Sequence, residues 1–486
     1  MERCFLCDET RTAKCRECKS VHFCHLHRSS HKIGENGSCS FIRSEKFGDA
    51  GRGLVATKDY SPGDVVFALK PATLGPCVRS QVQCVNCLMV LHDKMTCSKC
   101  SLPVCDTKCE RGEHHQAECQ VLQKIRDGLK DQQGGRNLYK AEIKNLTSAV
   151  MTIRLFSLKW RDPGTWNLVS MLMDHDGNPE LWKSILQAYK SILIKDPRFE
   201  ENELKRVFGI QCTNGANLHL PPTHGRGVGV YPIFALLNHS CMCNSETLES
   251  AESHSVVVKA RFKIETGEEI STCYLKPEQA TFARRQFLFN KWNFWCSCRR
   301  CSDPSELGAF SGGMVCLNGR CGGLLLPCSP LEEISPWFCQ DCRTQFSWHQ
   351  ISNILEQTLL EVESAGSGGS VERLEELIFT LRQYLYHTHY MLIQVEQRLL
   401  LQYWDRSKGN KEKISRPVLD RIIQLSKNIL VQQERTDPGE SRQRRILEEI
   451  YYSSILERGC KDFKLGVITR EKLQNFILCK QARMKI

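Results

Sequence analysis

Cysteine spacing is the feature that most restricts what this chain can fold into. It has 28 cysteines in 486 residues. The densest run is Cys84-x2-Cys87-x9-Cys97-x2-Cys100-x4-Cys105-x3-Cys109-x5-His115-x3-Cys119. Zinc takes four Cys or His ligands tetrahedrally, and a Cys-x2-Cys turn offers two sulfurs to one ion, so eight ligands make two sites. The last two pairs are each spaced by one helical turn, so each can share a helix face. The first residues, Met1-Glu2-Arg3-Cys4, hold no apolar run of the kind a signal peptide needs, and no stretch approaches the roughly 18 apolar residues of a membrane span. Without a secretory route, such pairs predict metal rather than disulfides, and hence a reduced cytoplasmic or nuclear compartment.

Further cysteines extend the pattern. Residues 1–39 carry Cys4, Cys7, Cys15, Cys18, Cys24, His27, His31 and Cys39, candidates for two more sites, with His25 or Glu35 as substitutes for His27 and His31. Cys296-x-Cys298-x2-Cys301 needs a fourth donor, and Cys241 is the obvious one. Cys316-x4-Cys321 and Cys339-x2-Cys342 form a ribbon-like set with Cys328 left over. About six zinc ions are expected from these sets. The formal charge of +11 counts every cysteine as neutral. Zinc-bound thiolates would bring the folded charge to about +2, so nucleic acid is a poor candidate for primary partner.

The length exceeds one core and predicts roughly two to four modules. Hydrophobic content of 41% and charged content of 25% are those of an ordinary soluble globular protein. Gly51-Arg52-Gly53 allows close backbone approach to a ligand, and Pro62-Gly63 marks a turn between strands. Residues 120–208 read as helical through Leu146, Val150, Ile153, Leu155 and Phe156, then Leu181, Ile185, Leu186 and Tyr189, with breaks at Pro163-Gly164 and Gly177-Asn178-Pro179. Residues 209–276 return to strands: the alternating Val256 to Ala260, and a strand from Gly267 ending on Tyr274. Leu236-Leu237-Asn238-His239-Ser240-Cys241 sets amide and imidazole groups directly behind an apolar run, where they need partners. Residues 346–486 predict helices over Ile351–Val362, Val371–Trp404, Val418–Gln433 and Leu447 to the end, with Gly366-Ser367-Gly368-Gly369 between the first two.

Taken together, these parts resemble the SET and MYND domain (SMYD-type) protein lysine methyltransferases. The run over Cys84 to Cys119 resembles a MYND finger; a RING finger would end in Cys-x2-Cys pairs, absent here. The Asn238-His239-Ser240-Cys241 stretch, the Gly51-Arg52-Gly53 turn, the tyrosine after Gly267 and the Cys296-x-Cys298-x2-Cys301 motif resemble the SET and post-SET signatures. The resemblance implies an α+β fold: a SET domain of short curved strands with an inserted MYND finger, a post-SET zinc site, a zinc-ribbon-like insertion and a C-terminal helical, tetratricopeptide-like domain. The expected modules are an N-terminal MYND-like finger (1–39), SET parts (40–83 and 209–290) around the MYND finger (84–119) and helices (120–208), the post-SET site (291–304), the ribbon (305–345) and the helical domain (346–486). The paired N-terminal finger hints at an arthropod branch.

The resemblance also implies S-adenosylmethionine as cofactor, held by Gly51, Arg52, Gly53, Asn238, His239, Tyr274 and Phe294, with Tyr274 catalytic. The implied partners are a protein substrate with an exposed lysine and peptides bound by the MYND finger, on a monomeric chain that engages no membrane. Two departures stand out. Trp292 occupies the region where the family places a second tyrosine, and an indole offers only an N–H donor. Cys243 stands where the family usually has proline, while Asn244 matches. A catalytically weak zinc scaffold acting by protein–protein interaction is the competing expectation.

Overall fold

In the computed structural model the described residues are 4–6, 9–19, 21–33, 38–48, 51–78, 81–91, 95–133, 140–175, 179–191, 193–249, 254–366, 368–407, 414–439 and 441–484. Cys7, Glu35, Gly177, Asn178 and Ser367 lie outside them. The chain divides into two compact units, Met1–Asn238 with Cys243–Thr272, and His239–Met242 with Cys273–Ile486.

The first unit is built from short antiparallel strands around a buried helix. Its strands are β1 (Ile42–Lys46), β2 (Arg52–Ala56), β3 (Val65–Leu69) and β4 (Thr73–Pro76). After a finger come helices α1 (Glu113–Gln133), α2 (Lys140–Arg161), α3 (Pro163–Ser170), α4 (Pro179–Ser191) and α5 (Glu201–Asn214). Strands β5 (Gly215–Asn217), β6 (Gly227–Val230), β7 (Ser245–Glu249), β8 (Val256–Ala260) and β9 (Glu269–Thr272) follow. These strands pair as β1–β2–β9, β7–β8–β3 and β4–β6–β5, and ahead of them Ala13–Lys14 pairs with His22–Phe23. The alternation of β8 is used as such, with Val256, Val258 and Ala260 buried.

Helix α2 is apolar on more than one face, and Leu146, Ala149, Val150, Met151, Ile153, Leu155 and Phe156 are all buried. A helix of that kind belongs in a core, not on a surface. It sits against β4 at Gly75, where an added Cβ would come within 3.3 Å of the Met151 Cβ. Asp162 caps the next helix, accepting from the Thr165 amide, with Pro163 at its first position, the arrangement that starts a helix cleanly.

The second unit begins with α6 (Thr281–Trp292) and a four-stranded sheet of β10 (Met314–Val315), β11 (Leu324–Pro327), β12 (Trp337–Cys339) and β13 (Gln345–Phe346). Helices α7 (Trp348–Gly366), α8 (Val371–Leu381), α9 (Tyr390–Ser407), α10 (Arg416–Thr436), α11 (Arg442–Lys464) and α12 (Arg470–Met484) complete it. The single helix expected over Val371–Trp404 is broken after Leu381. There the chain runs beside β10, with the Val315 amide donating to Tyr384 and the Tyr386 amide to Gly313, which covers an exposed sheet edge. The expected final helix stops at Lys464, where Gly466 takes φ +72° and Val467 donates to Asp462 at 2.8 Å, a glycine stop of the Schellman kind. Among the described residues, no helix is long and apolar enough to cross a membrane.

Candidate functional site

The cysteine ladder folds into interleaved metal-ligand sets. Cys84, Cys87, Cys105 and Cys109 gather in one cluster, and Cys97, Cys100, His115 and Cys119 in another, with ligand atoms within 4.8 Å of one another. The N-terminal finger follows the same order. Cys15, Cys18, His31 and Cys39 form one cluster, while Cys4 and Cys24 both place sulfur 3.4 Å from His27 Nδ1. His25 is exposed and joins neither set. Two further sets are Cys241 with Cys296, Cys298 and Cys301, and Cys316, Cys321, Cys339 and Cys342; Cys328 stays exposed and apart.

Distances test whether these sets suit zinc. Four sulfurs about 2.3 Å from an ion stand about 3.8 Å apart along a tetrahedron edge, whereas a disulfide needs about 2.0 Å. The observed separations are 3.8 Å for Cys15–Cys39, 3.7 Å for Cys97–Cys119, 3.6 Å for Cys241–Cys301 and 3.6 Å for Cys316–Cys342. No disulfide occurs among the described cysteines. The donor sets fit a zinc ion. The residue after four of the Cys-x2-Cys turns adopts left-handed backbone: Lys19 (φ 53°), Leu88 (φ 67°), Ser101 (φ 65°) and Arg343 (φ 64°). Such conformations are uncommon outside glycine. Here they let the chain turn back after presenting two sulfurs, and no residue type in the sequence announces them.

Behind His115 lies a buried ion network. His115 Nδ1 is 3.1 Å from Glu118 Oε1, and Arg154 on α2 donates from Nε (2.7 Å) and Nη2 (2.6 Å) to the same carboxylate. Arg154 also donates to the carbonyls of Leu74 in β4 and Val85 in the finger. A carboxylate holding the far nitrogen of a ligand histidine fixes its tautomer and orientation. The finger, the core helix and β4 thus share one guanidinium.

In the first unit, Gly53, Asn238 and Glu269 converge. Asn238 Nδ2 donates to Glu269 Oε1 at 2.8 Å, and a Cβ on Gly53 would meet those two atoms at 2.7 and 2.6 Å. Gly51 takes φ +74° just before β2, a conformation open to glycine at little cost. Arg52 turns its side chain to Met171, donating to its carbonyl and to its sulfur. Asn244 uses both ends of its amide, donating to the Glu269 carbonyl (2.8 Å) and accepting from the Ser271 amide (2.9 Å). Cys243, in the expected proline position, is buried and directs its thiol at the Ser245 carbonyl. Nothing in the sequence marks Glu269 as a partner for Asn238, although it stands just after the Gly267 turn at the start of β9.

In the second unit an aromatic cluster surrounds Tyr274. The expected strand ends earlier, at Thr272, because the Tyr274 amide donates to His239 Nδ1 (3.1 Å) instead of to a strand neighbour. With Nδ1 accepting, the imidazole proton lies on Nε2, which faces Cys241 Sγ at 3.2 Å. Burial pushes the His239 pKa down to about 4, so the ring is neutral. Its centroid lies 5.3 Å from Tyr274 and 6.1 Å from Phe294. Trp292 lies 4.9 Å from Tyr274 at 43° and carries the Lys291 ammonium 4.1 Å from its own centroid. Beneath the Cys241 set, fully buried Arg284 donates to Cys241 (3.3 Å), Cys301 (3.5 Å) and Glu306 (2.6 Å). Nothing in the sequence distinguishes Arg284 from its neighbour Arg285.

Residues 51–275 match the SET domain family. The SET domain-containing protein SmydA-8, isoform A, of Drosophila melanogaster is 23% identical over 410 residues, covering 82% of this chain and 85% of the relative. Histone-lysine N-methyltransferase ASHR1 of Arabidopsis thaliana is 25% identical over 406 residues, covering 76% and 81%. Histone-lysine N-methyltransferase SMYD3 of Homo sapiens is 25% identical over 284 residues, covering 54% and 63%. The short-stranded fold with its cysteine–histidine clusters and these relatives define a SET-domain protein. The chain is similar to the SMYD type, the SET and MYND domain proteins.

Proposed function

We propose that this chain is an S-adenosylmethionine-dependent protein-lysine N-methyltransferase whose zinc fingers recruit peptide partners. The observation that carries the reading is the Tyr274 cluster: a phenol held against a neutral histidine, Phe294 and Trp292, beside a sulfur set that fits zinc. The residues proposed to hold the cofactor are Gly51, Arg52, Gly53, Asn238, His239, Tyr274 and Phe294. When bound, S-adenosylmethionine supplies an electrophilic methyl group on a sulfonium.

The chain's own residues supply alignment and desolvation. Tyr274 orients the incoming amine rather than removing its proton, because an ordinary phenol stays protonated at neutral pH. Aromatic faces favour loss of the lysine proton by excluding water, and they tolerate positive charge on a sulfonium. The substrate is a protein with an exposed lysine, in the cytoplasm or nucleus, and the enzyme acts as a monomer. Trp292 favours a second reading, a scaffold of low activity, since its indole lies against Tyr274 and offers no hydroxyl.

Methyl transfer from labelled S-adenosylmethionine to a mixed protein substrate tests this. Zinc-loaded wild type should transfer label, and Tyr274→Phe should transfer none while keeping its zinc. Calorimetric titration that finds no binding of S-adenosylmethionine or S-adenosylhomocysteine to the folded, zinc-loaded chain would overturn the enzyme reading and leave the scaffold.

A further inference from the structure

Within the second unit, a cavity of about 210 Å³ lies between α6, the β11–β12 loop and the start of α7. None of the residues assigned above to cofactor or catalysis lines it. Phe282, Trp337 and Trp348 supply its aromatic walls, with the Phe282 and Trp348 rings edge to face at 6.2 Å and 63°; Trp295 and Arg285 also line it, but the Trp295 ring is already stacked on Phe289 and covered by the Arg285 guanidinium. Its rim carries Glu332 and Glu333, both exposed, and among the described residues neither carboxylate has an ion-pair partner. Glu306 at the base is already held by Arg284 and Arg300.

The cavity is preformed. Arg285, lying 5.1 Å over the Trp295 ring, donates to the carbonyls of Cys296 (3.0 Å), Leu331 (2.7 Å) and Pro330 (3.3 Å). That clamps the glutamate-bearing loop to α6. The loop is closed on itself by Ser329 donating to Ser335 Oγ (2.8 Å) and Cys328 to Pro336 (2.8 Å). Leu331 and Ile334, 38% and 77% exposed, flank the two glutamates and give a docked chain apolar contacts on either side.

Aromatic walls under a rim of unpaired carboxylates suit one ligand chemistry, an alkylammonium. Ring faces attract cations, most strongly where water is displaced, and the carboxylates add Coulomb attraction at a partly screened surface. The volume is about seven water shares, close to the size of a lysine side chain bearing methyl groups. An anionic or neutral polar side chain would leave the carboxylates unanswered. We propose that this cavity is a second peptide-binding site, taking the cationic side chain of a methylated lysine from a partner protein. The site stands independently of whether the chain transfers methyl groups.

The test uses the full zinc-loaded chain and three peptides, Gly-Ala-Xaa-Ala-Gly, with Xaa as trimethyl-lysine, lysine or the neutral isostere norleucine. Binding is read by tryptophan fluorescence, to which Trp295, Trp337 and Trp348 contribute. Trimethyl-lysine, which has no lone pair to accept a methyl group, should bind best, and norleucine at least tenfold more weakly. Glu332→Gln with Glu333→Gln, both at exposed positions, should weaken the trimethyl-lysine peptide about tenfold and flatten the salt dependence of its binding. Equal affinity for norleucine, unchanged affinity in the double variant, or no binding of trimethyl-lysine at millimolar concentration would overturn the proposal.

Discussion

Replacing Arg154 by methionine removes the guanidinium that joins the finger, α2 and β4. Arg154 is 1% exposed and Glu118 fully buried, so the change strands a carboxylate in the core. Breaking a buried ion pair from one side costs about 3–5 kcal/mol. The carbonyls of Leu74 and Val85 also lose their donor, which adds to the loss. For a unit of this size, about 2–4 °C of melting temperature goes with each kcal/mol, giving a drop on the order of 10 °C. The single variant leaves His115 its carboxylate; Glu118→Met removes it, and loss of such a partner weakens metal binding about 10- to 100-fold. Calorimetric melting together with chelator-monitored zinc release measures both. The double variant Arg154→Met with Glu118→Met should recover part of the stability, because it leaves no buried charge. A melting shift below about 2 °C in the single variant, or a double variant no better than the single, would refute the reasoning.

Gly53→Ala should abolish binding of S-adenosylhomocysteine in calorimetry while leaving the zinc content unchanged, because the new methyl would displace Asn238 and Glu269 from contacts of 2.7 and 2.6 Å; retained affinity would remove these residues from the binding role. Acidification should destabilise the second unit through His389, which is fully buried and whose pKa burial pushes down to about 3. A base depressed in the folded state binds its proton in the unfolded chain first. Stability is therefore complete above about pH 6.5 and falls by up to about 1.4 kcal/mol per pH unit below it, a slope that His389→Gln should flatten in pH-resolved melting.

What the sequence made legible was whatever rests on residue type at short spacing. Cys84 to Cys119 announced eight ligands, and Val256 to Ala260 announced a half-buried strand, because ligand chemistry and period-two burial are local. The interleaving of Cys84 and Cys87 with Cys105 and Cys109 was not legible, since spacing fixes the number of ligands and not their partners. Arg154 and Arg284 were invisible for a related reason. A buried arginine reads like a surface one until Glu118 or Cys241 arrives from a distant segment. Tyr274 reads as the end of a strand because a turn at Gly267 leads into that segment, yet one side-chain acceptor, His239 Nδ1, takes its amide. The break after Leu381 had no local signal either, because the competing partner is an edge strand some seventy residues earlier.

The pairing of β4 with β6 sets Thr73 opposite Val230 and Pro76 opposite Gly227, with about 150 residues looped out between them. During synthesis at about 5–20 residues per second, β4 waits roughly 8–30 s for its partner. A bare loop of that length closes at an entropic penalty that grows with the logarithm of its length. A finger already ligated within it, with α1 and α2 laid against β4 through Arg154, leaves a far shorter free segment to search. Zinc supply at the ribosome would then govern how quickly this sheet closes, and metal scarcity would be felt as slow maturation before it is felt as lost stability.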